Sequence, residues 1–174
     1  MGLRLSPDAG RLASVLREPP VPEPYKVPVS VLVVIHTADL RVLLLERSDR
    51  AGYWQSVTGS LDSEDETSHE AAVREVAEET GIDARKNALV DWRIQNRFRI
   101  YDWRLPQYRP GVTRNTEHVF GLTVPADCGV RLAPGEHVRF KWLGWQEAAA
   151  NCFSWTNRDA ILLLPWLGGT KASR

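Results

Sequence analysis

Residues 59–82 constrain this chain more than any other segment. Two glycines, Gly59 and Gly81, bracket a stretch with helical periodicity over Glu66–Thr80. Gly81 stands just past the last periodic residue, as a C-terminal stop. At about 100° per residue, Val73, Val76, Ala77 and Thr80 share one side, which predicts a helix with one face on a core. Glu75, Glu78 and Glu79 gather on the opposite side, within side-chain reach of one another. Like charges at i,i+4, here Glu75 and Glu79, cost a few tenths of a kcal/mol. All three lie toward the negative end of the helix dipole. A solvated face under no other demand would carry Lys or Arg there. Local rules are broken where function requires it, and clustered carboxylates on a rigid helix suit a hard divalent cation such as Mg²⁺. The alternative is a plain acidic surface.

The segments around this helix read mostly as strands. Pro28–Thr37 is a β-branched apolar run and reads as a buried strand. Ala38-Asp39-Leu40 turns it into a second strand, Arg41–Glu46. Ser48–Tyr53 is a polar loop, and Trp54–Thr58 is extended and closed by Gly59. Further strands are expected at Ala88–Phe98, His118–Val124 and Val138–Trp142, and a last helix at Trp155–Leu164, ended by Pro165. Ser6-Pro7-Asp8 looks like a helix start, giving a short helix over about residues 7–17. Pro19, Pro20, Pro22 and Pro24 then form a stiff linker. Residues 1–24 are thus read as an extension and 25–174 as the domain.

Composition removes several classes. In 174 residues, Lys+Arg and Asp+Glu are both 22, so the chain has no net charge to draw it to nucleic acid or an anionic membrane. With 43% hydrophobic residues it can bury a core. Cys128 and Cys152 cannot make a disulfide framework, and two reduced thiols are expected. Runs such as Val29–Ile35 are too short to span a bilayer, and the N-terminus has no signal-peptide pattern. Cytoplasm is the expected location. The seven Trp residues suit either a core or the stacking of a flat ring.

The acidic helix resembles the Nudix box, G-x5-E-x7-R-E-U-x-E-E-x-G-U, where U is a bulky aliphatic residue. From Glu66 through Arg74-Glu75-Val76-Ala77-Glu78-Glu79-Thr80-Gly81-Ile82 the match is complete. Six residues rather than five separate Gly59 from Glu66. Either the loop holds an inserted residue, which the intact core favours, or Asp65 replaces Glu66. Tyr25-Lys26 with Pro28-Val29-Ser30, Trp54–Ser60, Pro110–Glu117, Lys141-Trp142-Leu143 and Ser154-Trp155 with Asn157-Arg158 are similar to the bacterial branch of Nudix hydrolases that acts on dihydroneopterin triphosphate.

That resemblance implies an α/β/α sandwich with a mixed β-sheet and Mg²⁺-dependent (or Mn²⁺-dependent) attack of water on a pyrophosphate. It implies a small-molecule triphosphate substrate, with release of pyrophosphate early in folate synthesis. It assigns Glu75, Glu79 and Glu136 to the metal, and Glu78, Glu79 and Glu136 to catalysis. Lys26, Arg47, Thr58, Phe98, Arg99, Ile100, Tyr101 and Ser154 would bind substrate. Arg74 and Glu66 would form a structural ion pair. Trp142 and Trp155 are expected in the core, and His137 as local scaffolding. Arg114 and Glu117 suit either an ion pair or a phosphate contact. A pyrophosphatase acting on (d)NTPs or dinucleoside polyphosphates, or a non-catalytic nucleotide-binding domain, is the other reading. The resemblance says nothing of oligomeric state.

Overall fold

The computed structural model describes residues 25–167. The helix expected over 7–17 and its linker lie outside the described residues. Seven strands form one sheet: β1 (Val29–His36), β2 (Arg41–Arg47), β3 (Trp54–Gln55), β4 (Val57–Ser60), β5 (Ala88–Arg99), β6 (Arg114–Thr123) and β7 (His137–Gly144). Three helices accompany it: α1 (Ser68–Thr80), α2 (Trp145–Asn151) and α3 (Trp155–Leu167). Strand β1 is the hub. It runs parallel to β6 and antiparallel to β2 and β4, while β2 also pairs with β3 and β7, and β6 with β5.

The apolar run of β1 is explained by burial on both faces. Val31, Val33 and Ile35 join one core with Val57, Phe120 and the α1 residues Ala71, Ala72 and Val76. Leu32 and Val34 join the other with Leu44, Val119, Ala148, Ile161 and Leu164. Helix α1 therefore covers one face and α2 with α3 the other, which is the sandwich with a mixed sheet that the resemblance implied.

Several boundaries differ from the sequence reading. Helix α1 starts at Ser68 rather than Glu66, because Thr67 caps it. The Thr67 hydroxyl accepts from the Glu70 amide at 3.2 Å, and the Glu70 carboxylate accepts from the Thr67 amide at 2.9 Å. Its far end closes on Gly81 at φ 69°, a left-handed conformation that glycine adopts without strain. Ala77 is exposed, and Glu79 takes a place on the buried face instead. Strand β6 begins at Arg114 rather than His118, since its polar start pairs with β5 from Arg99↔Arg114 onward. Pro165 lies inside α3 and does not end it; the helix runs on to Leu167. Helix α2 went unread, being only seven residues long. Trp142 packs half-buried against the first core, but Trp155 is 48% exposed and is not a core residue.

If the cap sets the helix start, Thr67→Ala should lower stability by about 1 kcal/mol. Urea unfolding followed by circular dichroism checks this, with an unchanged m-value expected.

Candidate active site

The site forms where α1 crosses β4 and the loop before β7. Arg74 is its organiser. Its guanidinium donates to Glu66 at 2.9 and 3.0 Å, to Glu75 at 2.8 Å, to Glu78 at 3.2 Å and to the Ser60 carbonyl at 2.9 Å. Asp62 adds an ion pair at 3.2 Å. The second oxygen of Glu66 also accepts from the Asp62 amide at 2.7 Å. Glu66 thus sits outside the helix and holds the loop to it, and it is Glu66 rather than Asp65 that pairs with Arg74.

Gly59 explains how the helix can approach so closely. A Cβ there would overlap the carboxyl group of Glu75, so only glycine lets Glu75 lie on the β4 backbone. Burial pushes the Glu75 carboxyl up to about 7, against the pull of Arg74.

Glu79 is the more unusual group. It is 3% exposed, on the helix face that carries Ala72 and Val76. Burial, then the charges of Glu75 and Glu136, push its carboxyl up to about 9; the Thr58 backbone and Arg47 oppose this. Its Oε2 is buried without a hydrogen-bond partner. His137 Nε2 lies 3.8 Å away. One donor atom each from Glu79, Glu136 and His137 lie within 4.8 Å of one another. A buried carboxylate oxygen with no donor, beside a second carboxylate and an imidazole, fits a divalent cation. Glu136 is exposed and comes from the loop before β7, which is pinned by the Ser48 amide donating to the Glu136 carbonyl at 2.9 Å.

His137 was missed as a site residue. It is buried, and burial followed by the Arg47 charge lowers its pKa, keeping the ring neutral and able to ligate. Its position directly after Glu136 was the only signal in the sequence.

The remaining candidates scatter around this centre. Arg47 feels the charges of Glu79 and Glu136, but its Nε and Nη2 are held by Asp49, both at 2.7 Å. Glu78 is exposed, at the edge of the Arg74 network. Thr58 is half-buried and accepts from Gln55 at 3.2 Å. Ser154 precedes α3, its hydroxyl 2.9 Å from that of Thr156. Lys26 is exposed, its amide bonded to the Gln107 carbonyl at 2.8 Å. Phe98 is half-buried and Ile100 buried, whereas Arg99 is exposed and pairs with Asp102 at 2.8 Å. Tyr101 is exposed and stacks on Trp103, with ring centroids 6.1 Å apart. Arg114 and Glu117 are three residues apart on one strand, which puts them on opposite faces. They form no ion pair.

A Nudix domain model matches residues 26–164. The chain belongs to the Nudix family. The dihydroneopterin triphosphate diphosphatase of Escherichia coli (strain K12) is 47% identical over 140 residues, covering 79% of this chain and 91% of that protein. The Haemophilus influenzae enzyme of the same name is 39% identical, covering 79% and 87%. The solved structure of the E. coli dihydroneopterin triphosphate pyrophosphohydrolase superposes with a TM-score of 0.71 and 45% identity, covering 82% of this chain and 97% of that one. No helix among the described residues is long and apolar enough to cross a membrane.

The raised pKa of Glu79 has a thermodynamic consequence. In metal-free protein the folded state keeps this proton above the unfolded value of 4.5, so its contribution is intact below pH 4.5 and is lost as pH rises toward about 9. Unfolding midpoints should therefore fall from pH 5 to pH 9. Glu79→Gln should flatten that fall and weaken Mg²⁺-induced stabilisation. An equal slope in both proteins would show that Glu79 is ionised when folded.

Proposed function

We propose that this chain hydrolyses dihydroneopterin triphosphate to dihydroneopterin monophosphate and pyrophosphate, with Mg²⁺ (or Mn²⁺) as its metal. The observation that carries the reading is a metal-ready acidic centre in a chain so similar to two enzymes of that name over most of their lengths. Nudix hydrolases use divalent metal ions. Glu75, Glu79 and Glu136 would hold the metal here, with His137 at hand. Bound there, a divalent ion neutralises phosphate charge and acidifies the attacking water.

The protein residues divide the rest of the work. Glu78 is drawn toward Arg74, so Glu136, exposed and reaching in from its loop, takes the proton from water as oxygen bonds to phosphorus. The bond between the α-phosphorus and its bridging oxygen breaks, and pyrophosphate leaves. Lys26 and the uncommitted Nη1 of Arg47 offset the charge of the phosphate chain. Thr58, Phe98 and Ser154 border the pterin, with Arg99, Ile100 and Tyr101 completing that stretch. The reading places the enzyme in the cytoplasm, where the free Cys128 and Cys152 persist as thiols.

The reading is tested by measuring pyrophosphate release from dihydroneopterin triphosphate, dATP and other nucleotides with Mg²⁺. A higher kcat/KM for the pterin is expected; efficiency no better than with dATP would leave a broad nucleotide pyrophosphatase instead. Glu136→Gln should lower kcat about 100-fold or more, as for loss of a general base, with Tm unchanged. A normal kcat would hand the base role to another carboxylate.

A further inference from the structure

The face of the sheet opposite α1 changes character along its strands. Register places Ser30, Thr58 and Glu117 on the same face as Leu32, Val119 and α3. Asn96 and Phe98 lie opposite Glu117 and Asn115 on that face. The apolar floor under α3 therefore gives way, toward the start of β1, to a ring of polar side chains beside Ser154 and Thr156.

Glu117 stands at the centre of this ring, 5% exposed. Its carboxyl accepts from Asn96 Nδ2 at 3.2 Å and meets the Thr156 hydroxyl. No cation among the described residues pairs with it. Burial raises its pKa, a sign of what it costs to keep a carboxylate there. Asn115, 4% exposed, donates its amide to Ser30 Oγ at 2.6 Å. That leaves Asn115 Oδ1 buried without a partner. This buried polar cluster thus holds spare acceptors: carboxylate lone pairs and an orphaned amide oxygen.

We infer that Glu117, with Asn115, selects the substrate ring by accepting hydrogen bonds from a 2-amino-4-oxopyrimidine edge. This rests on the pterin reading above. That edge presents an exocyclic amino group and a ring N–H side by side, two donors that a carboxylate takes together. An adenine edge presents one donor beside a ring-nitrogen acceptor, whose lone pair opposes the carboxylate. A site built on buried hydrogen-bonding groups rejects a ring that leaves them unpaired.

The test compares kcat/KM for dihydroneopterin triphosphate, GTP and dATP in wild type and Glu117→Gln. The variant should lose about 100-fold with the pterin, mainly through KM, in the range of one bidentate base contact, and change little with dATP. Equal losses on all substrates, or no loss on the pterin, would overturn the inference and leave Glu117 as a tie between β5, β6 and α3. Should Glu117→Gln not fold, Asn115→Ala decides by the same ratio of pterin to dATP. If wild type releases no pyrophosphate from the pterin, the substrate reading fails separately. The inference is then judged on GTP against dATP, where a ratio unaffected by Glu117→Gln overturns it.

Discussion

The guanidinium of Arg74 is the contact on which the acidic centre depends. Asp62, Glu66, Glu75 and Glu78 all converge on it. Without it these carboxylates would repel one another across a helix and a loop. The exposed partners, Asp62 and Glu78, contribute little in water. The forked bond to Glu66 is different, because both groups are largely screened from solvent and the fork fixes direction as well as distance. Its further bond to the Ser60 carbonyl ties α1 to β4. Gly59, the neighbouring residue, supplies the space in which Glu75 then lies.

Strand β4 serves both sides of the molecule. Gly59 faces α1 and the carboxylates, while Thr58, one residue earlier, faces α3 and the polar cluster around Glu117. The proposed phosphate chemistry and the inferred ring contact therefore lie on opposite faces of the sheet, one residue apart along β4. The arrangement also isolates Glu79. Placed among alanines and a valine, it keeps its proton until something offsets its charge.

Much of this was legible in the sequence. The β1 run, the turn at Asp39, the spacing from Glu66 to Ile82 and the Gly81 stop all report local periodicity or turn chemistry, and the structure has them nearly where expected. The carboxylate arc differs in one respect: Glu79, expected opposite the core-facing side, lies on it. A helical wheel orders residues by angle but cannot say which arc a sheet will cover, and the sheet covers the arc containing Glu79. Helix α2 is too short to show a period. Trp155 looked like core by residue type, yet the start of α3 lies at the surface.

By itself the sequence determined the helix that carries Glu75, Glu78 and Glu79, the Gly81 stop at its end, and the strands that flank it. These follow from interactions within a few residues of one another. Tertiary structure alone decided that His137 meets Glu79, that Glu136 joins them from a distant loop, and that Arg114 and Glu117 part to opposite faces with Glu117 under α3. Burial and strand register join residues far apart in the chain, and these set which carboxyl groups lose their water and what they can then bind.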